Sequence, residues 1–325
     1  MRARFAKGQG DIDSAREFIE PAIEKARRHD WPELLGLCLT IHGSVLLDIA
    51  EPEVANDVLR EAVELLEVHG DAIDRARAHL SLAHSHRFMS ELREAARACE
   101  DAAAAYLAAG QPAAAAAVRL NQATLVSGTT SDEIEDQLME ASRLANSSGD
   151  RRVMAFVALA RGEFLLRAHR YSEARESYKR AAHLWASCGL KDRYAAELGQ
   201  AMTALGEGRG FEVLPTLRRV RREADEAGMH FLEGEIGIGE ALALFRSGEF
   251  SEARTQLDES AEYFAGAALA SREFAWMCDM LAEEAFEQGR VDLACTAADL
   301  AADCWRELGE ARRAEPSESR VASDD

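Results

Sequence analysis

Apolar residues in this chain fall at helical spacing and are interrupted at regular distances. From Val153 to Arg167, the residues Val153, Phe156, Val157, Leu159, Ala160, Phe164 and Leu165 recur at the three- and four-residue steps of a helix face. After the turn His169-Arg170-Tyr171 a second amphipathic run begins near Ser172 and carries Ala174, Tyr178, Ala181, Ala182 and Trp185. It stops at Cys188-Gly189, where glycine supplies the left-handed cap. The stretch from 151 to 189 therefore predicts an antiparallel helical hairpin.

The hairpin repeats along the chain. Ile12, Pro52, Leu92, Ser131, Tyr171, Phe211, Phe250 and Val291 occupy equivalent marker positions, at steps of 40, 40, 39, 40, 40, 39 and 41 residues. The residue three places on is usually Ala. A period held so closely is the mark of stacked hairpins, each of which buries its apolar face only against its neighbours. Around Phe211 to Val220 the sixth unit slips by about a residue. Small residues recur nine positions before the marker, at Gly43, Ala83, Gly162, Ala241 and Ala282. Alanine recurs ten positions after it, at Ala22, Ala62, Ala102, Ala141, Ala181 and Ala301. These two sets predict close contact between antiparallel helices.

A small residue, then an aromatic or aliphatic residue, then Ala at plus three and plus ten: this pattern resembles the tetratricopeptide repeat. The strongest stretches are Arg170-Tyr171-Ser172-Glu173-Ala174-Arg175 and Gly248-Glu249-Phe250-Ser251-Glu252-Ala253-Arg254, with Gly10-Asp11-Ile12-Asp13-Ser14-Ala15-Arg16 beside them. The resemblance covers nearly the whole chain and implies an all-α fold, a right-handed α-solenoid of antiparallel hairpins. The chain departs from the common form in its period, near 40 residues where the usual one is about 34. The Trp early in the first helix and the Pro that closes the second are mostly missing, and Ser131 replaces the marker aromatic. Long units of this kind look like the helical arrays of large bacterial regulators.

The domain reading is a repeat array over 1–309, one partial hairpin followed by seven complete ones, and a disordered polar tail over 310–325. An array without polar capping helices exposes apolar faces. This suggests part of a longer multidomain polypeptide, an altered gene product, or an N-terminal end that docks on another domain. The alternative is that Met1 to Gly8 forms a short cap. Exposure of Trp305 and Leu308 would favour the first view.

Composition adds constraints. Six prolines and 6% aromatics leave no material for a long parallel sheet. A formal charge of −20 repels phosphate backbones, so nucleic acid is excluded as a direct partner. No apolar run reaches the roughly 20 residues needed to cross a bilayer, and the opening residues have no signal-peptide core. A cytoplasmic location follows as the expectation. Cys38, Cys99, Cys188, Cys278, Cys295 and Cys304 lie scattered without a CxxC pair, which predicts structural cysteines and no metal.

Positions fifteen, twelve, eight and five before a marker share one face of the first helix. In the resembled family that face lines the concave groove. It then carries Arg77, Leu80, His84 and Arg87 in the third repeat and Arg119 in the fourth, with Asn121 and Gln122 nearby. An arginine cluster of this kind suits an acidic peptide segment. The eighth repeat places Trp276, Asp279, Glu283 and Phe286 at the same positions, the opposite chemistry. The other reading of Arg77, Arg87 and Arg119 is that they are solvated or paired with neighbouring acids. The basic run Arg218-Arg219-Val220-Arg221-Arg222 has Glu223, Asp225 and Glu226 four residues after Arg219, Arg221 and Arg222, which predicts paired charges on an exposed helix. Gly206-Glu207-Gly208-Arg209-Gly210 lacks the strand and the Lys-Ser or Lys-Thr of a phosphate loop, and Gly234, Gly237 and Gly239 predict close helix packing or bending. No catalytic constellation and no cofactor motif is present.

The functional expectation is a non-catalytic scaffold that binds a protein or peptide through its concave groove. The alternative is a ligand-sensing regulatory domain of a bacterial signalling or transcription-regulatory protein.

Overall fold

The structure, a computed structural model, describes residues 2–308 apart from 10, 125–130, 190–192, 211 and 268–270. Phe211 and the polar tail thus lie outside the described residues. The chain divides into two compact units, Met1–Val153 and Met154–Asp325. Every regular element among the described residues is helical.

The first unit runs through α1 (Arg2–Gly8), α2 (Ile12–Arg28), α3 (Pro32–Asp48), α4 (Pro52–His69), α5 (Ala72–Phe88), α6 (Leu92–Ala108), α7 (Pro112–Thr124) and α8 (Ser131–Ser148). The second is built from α9 (Arg151–Arg167), α10 (Tyr171–Cys188), α11 (Arg193–Gly206), α12 (Leu214–Glu226), α13 (Glu233–Arg246), α14 (Phe250–Ala267), α15 (Arg272–Glu287) and α16 (Val291–Glu307). Odd-numbered helices are the first helices of the hairpins and even-numbered ones the second. Within each unit most successive helices pack on one another, and first helices also touch first helices, α3 on α5, α11 on α13 and α13 on α15.

Seven of the eight markers are the first residue of a second helix. For five of them the reason lies in the turn before. Ala50, Ser90, His169, Gly248 and Gly289 stand two places ahead of the marker with φ of 58°, 61°, 56°, 82° and 70°. This left-handed residue lets the next N–H fold back onto the preceding helix: Glu51 N–H donates to the Leu46 carbonyl at 3.0 Å, Glu91 to His86 at 2.8 Å and Arg170 to Leu165 at 2.9 Å. A carbonyl that the helix end would leave orphaned is satisfied, and the chain reverses at a fixed angle.

Small residues sit where large ones enter. A β-carbon on Gly43 would come within 2.4 Å of the Leu59 side chain, and one on Gly162 within 2.8 Å of the Tyr178 ring. Both partners lie seven places after a marker. Tyr178 is held from the other side by Gly199 of α11, whose β-carbon would approach the ring to 2.2 Å. Trp185, fully buried, packs about two helical turns further on among Ala155, Ala158, Ala181 and Ala196. In the first unit, Leu35 and Leu39 meet Ala26 and Ala62 in the same way.

The sixth hairpin is the exception, as its slipped pattern predicts. Its second helix starts at Leu214, three places past the marker, and has 13 residues where α10 and α14 have 18. Pro215 explains the start, because proline lacks an N–H and is accommodated in a helix's first turn far more easily than deeper inside. A one-turn 3-10 helix, His230–Leu232, then leads into α13. At the far end Trp305 is fully buried and donates its indole N–H to Asp279 at 2.8 Å, while Leu308 is half-buried.

Candidate functional site

In the second unit, three first helices bring charged side chains together. Glu163 and Arg167 are one turn apart on α9 and so share a face. Glu235 comes from the first turn of α13 and Glu273 from that of α15. Arg167 donates through Nη1 to Glu273 Oε1, closing a pair between residues 106 positions apart. The two side chains retain about a fifth of their surface, 22% and 18%.

The neighbourhood is chemically unusual because carboxyl groups outnumber cations where water is scarce. Burial, and then the charge of Glu273, push the Glu163 carboxyl up to about 8, with Arg167 opposing. Burial and Glu273 push Glu235 up to about 7, opposed by a hydrogen bond from Ser271. Burial also raises the Tyr178 phenol well above its ordinary value, with Glu163 and Glu273 adding to it. Charged carboxylates crowded in a low-dielectric site raise one another's proton affinity. Both carboxyls therefore keep their protons to higher pH than an ordinary glutamate, and a protonated carboxyl offers both an O–H donor and an acceptor.

The residues singled out by sequence are distributed over both units. Arg77 lies 3.3 Å from Asp74 on its own helix and is part-exposed. His84 is half-buried, and burial lowers its pKa, with Arg87 and Lys7 reinforcing the effect. Arg87 is exposed with its guanidinium 5.8 Å from the Phe88 ring centre. Arg119 donates to Gln122 at 2.8 Å and to Gln137 at 3.4 Å, and its Nε is buried without a partner. Arg87 and Arg119 both act on Cys99, opposing the burial that pushes its thiol up to about 11. Asn121 is exposed beside them in sequence. In the second unit Trp276 is buried at 7% and Asp279 is occupied by Trp305, while Phe286 is 66% exposed and Glu283 is exposed as well.

Glu163 and Glu235 were within reach of the same face rule, since they stand eight and fifteen places before Tyr171 and Phe250. The signal existed, but nothing in the local sequence distinguishes them from the other acids. Arg167 and Glu273 fall outside that rule. Cys38, Cys99, Cys278 and Cys304 are buried, Cys188 and Cys295 exposed, and all six are free. Arg219 pairs with Glu223, as the spacing predicts, and also with Glu197. Arg221 departs from the prediction, because it turns inward to Glu240 on α13 and not to Asp225. Gly237 and Gly239 do serve close packing, with added β-carbons meeting Ser260 at 2.2 Å and Met202 at 2.7 Å.

The fold defines a class: a tetratricopeptide-like helical repeat protein, all-α, built from stacked antiparallel hairpins. Solved structures agree. The apo form of RapI is 14% identical, with 91% of this chain and 82% of that one covered at a TM-score of 0.76. The apo form of the quorum sensor NprR from B. thuringiensis is 14% identical over 93% of this chain and 85% of that one, TM-score 0.63. Aspartyl phosphate phosphatase F from Bacillus subtilis is 15% identical over 89% and 75%, TM-score 0.65. At these identities the likeness is one of fold. No protein-family model matches the sequence, and no curated protein matches it at a significant level. No described helix is long and apolar enough to cross a membrane.

Proposed function

We propose that the protein is a non-catalytic binding module that takes a peptide or protein segment on the inner, first-helix faces of its hairpins. The observation that carries this reading is the convergence of Glu163, Arg167, Glu235 and Glu273 from α9, α13 and α15. Protonated carboxyls present donor and acceptor together, and a peptide backbone alternates the same two groups. In the first unit, Arg77, His84, Arg87, Arg119 and Asn121 form a second binding face, suited to an acidic segment through charge-assisted hydrogen bonds. Trp276, Asp279, Glu283 and Phe286 retain a role only through the exposed Phe286 and Glu283.

A second reading, the ligand-sensing regulatory domain, is favoured by the Arg167–Glu273 pair itself. A ligand that displaces Glu273 from Arg167 frees α9 from α15 and changes their separation, which converts occupancy into shape. A Rap protein solved in complex with Competence and Sporulation Factor, 16% identical with a TM-score of 0.60, supports the same reading.

The test is a pull-down from a bacterial lysate with three proteins of equal helicity: the intact chain, Arg77→Glu/Arg87→Glu/Arg119→Glu, and Glu163→Ala/Glu235→Ala. Loss of a specific co-purifying protein from either variant supports binding through that face. An identical partner set from all three contradicts it.

A further inference from the structure

The shortened α12 leaves a gap in the layer of second helices. α12 and α14 flank it and α13 forms its floor, giving a cleft of about 370 Å³ that continues past Arg218 and Arg221 into a second space of about 520 Å³. This is the side of the hairpins opposite in role to the binding face proposed above, and it shares none of that face's residues.

The floor of the cleft holds an incomplete polar pair. Glu240 is 4% exposed, and its Oε2 lies 3.2 Å from Arg221 Nη2, which also donates to Gln256 Oε1 at 3.1 Å. The other carboxylate oxygen, Glu240 Oε1, is buried without a hydrogen-bond partner, and so is Arg221 Nε. An unpaired buried acceptor and an unpaired buried donor are each costly to a fold, and here they belong to one ion pair lining one cleft. The backbone makes room for them. Gly237 faces the guanidinium, and a β-carbon there would stand 3.3 Å from Arg221 Nη2. Arg218 adds an exposed cation at the junction of the two spaces, and Thr255 a hydroxyl on the wall.

We infer that this cleft is a binding site for an α-amino acid group, a nitrogen donor and a carboxylate on one carbon. The amino or amide N–H donates to Glu240 Oε1, and the carboxylate accepts from Arg221 Nε and Arg218. The unpaired atoms call for one donor and one acceptor close together, which neither a simple anion nor a simple cation provides. The volume lies at the lower end of small-molecule sites and limits the ligand to about the size of one or two residues. The same chemistry is offered by a free amino acid and by the C-terminal residue of a peptide.

Isothermal titration of the full chain against the free proteinogenic amino acids, their N-acetyl forms and their α-carboxamides tests the inference. At least one free or N-acetyl amino acid is expected to bind with a Kd at or below about 1 mM. Glu240→Gln should weaken it at least tenfold and Arg218→Gln, an exposed change that spares the core, several-fold, with circular dichroism unchanged in both. Preference for the free form identifies a metabolite-like ligand, and preference for the N-acetyl form a peptide C terminus. Absence of binding across the panel, equal binding of the α-carboxamides, or unchanged affinity in both variants overturns the assignment and leaves solvent as the cleft's occupant.

Discussion

Arg167 on α9 and Glu273 on α15 form an ion pair across 106 positions of chain. Neighbouring repeats are bound to lie near one another, but a direct bond between the fifth and eighth hairpins requires the first helices of the second unit to curl toward a common centre. Glu163 and Glu235 both feel the charge of Glu273 there, and Arg167 offsets part of that repulsion at Glu163.

Replacing Arg167 with Met should therefore destabilise the protein by about 3 kcal/mol, since removal of one partner leaves a partly buried carboxylate uncompensated. Equilibrium urea unfolding at pH 7 measures this. Glu273→Gln should cost less, because it also removes the charge that raises Glu163 and Glu235. Equal losses in the two variants would show that the pair acts only by packing.

The same cluster predicts a pH dependence. Glu163 and Glu235 have folded-state pKa values of about 8 and about 7, above the 4.5 of an unfolded glutamate. The folded state then holds more protons than the unfolded one between about pH 4.5 and 8, so stability declines as pH rises through this window. The contribution is greatest below the unfolded value and is lost once both groups ionise in the fold. Each proton corresponds to a limiting slope of about 1.4 kcal/mol per pH unit. In Glu163→Gln/Glu235→Gln, thermal unfolding between pH 5 and 8 should be flatter than in the parent protein. Parallel curves would contradict the assignment.

Gly199→Ala should destabilise the fold by about 2 kcal/mol, in the range of overpacked cores, because its β-carbon would lie 2.2 Å from the Tyr178 ring. In the background Tyr178→Leu the penalty should shrink, giving a coupling energy of about 1 kcal/mol in a double-mutant cycle. An additive result would mean that the glycine is needed for some other contact.

Turn residues supply a stabilising prediction. Ala50 and Ser90 hold φ of 58° and 61°, a conformation that costs an ordinary L-residue about 1–2 kcal/mol. Ala50→Gly and Ser90→Gly should each raise stability by roughly 0.5–1 kcal/mol after the extra freedom of glycine in the unfolded chain is subtracted. Loss of stability in urea unfolding would show that the methyl or hydroxyl contributes more than the strain.

What could be read from the sequence follows the range of the interactions. Pro52, Leu92, Tyr171, Phe250 and Val291 begin helices because the turn before each is local, and such turns write themselves into spacing. Gly43 and Gly162 were readable as contact points because the partner helix lies in the same hairpin. Arg221 was misassigned for the complementary reason: a four-residue rule offers Asp225 and has no sight of Glu240 on the next helix. Arg167 and Glu273 lie three hairpins apart, beyond any periodic rule. Trp276 obeys the face rule but is buried, so the face it was assigned to does not hold the same rotation in α15 as in α5.

Peptide binding on the inner faces of the first helices is what most of these residues are proposed to serve. Its most direct test is selection of a random peptide library on the intact chain, followed by measurement of each recovered peptide's Kd on the intact chain and on Glu163→Ala/Glu235→Ala at pH 7. A shared motif among the recovered peptides and at least a tenfold loss of affinity in the variant are expected. Recovery of no motif above the starting library, or equal affinity for both proteins, would contradict such binding.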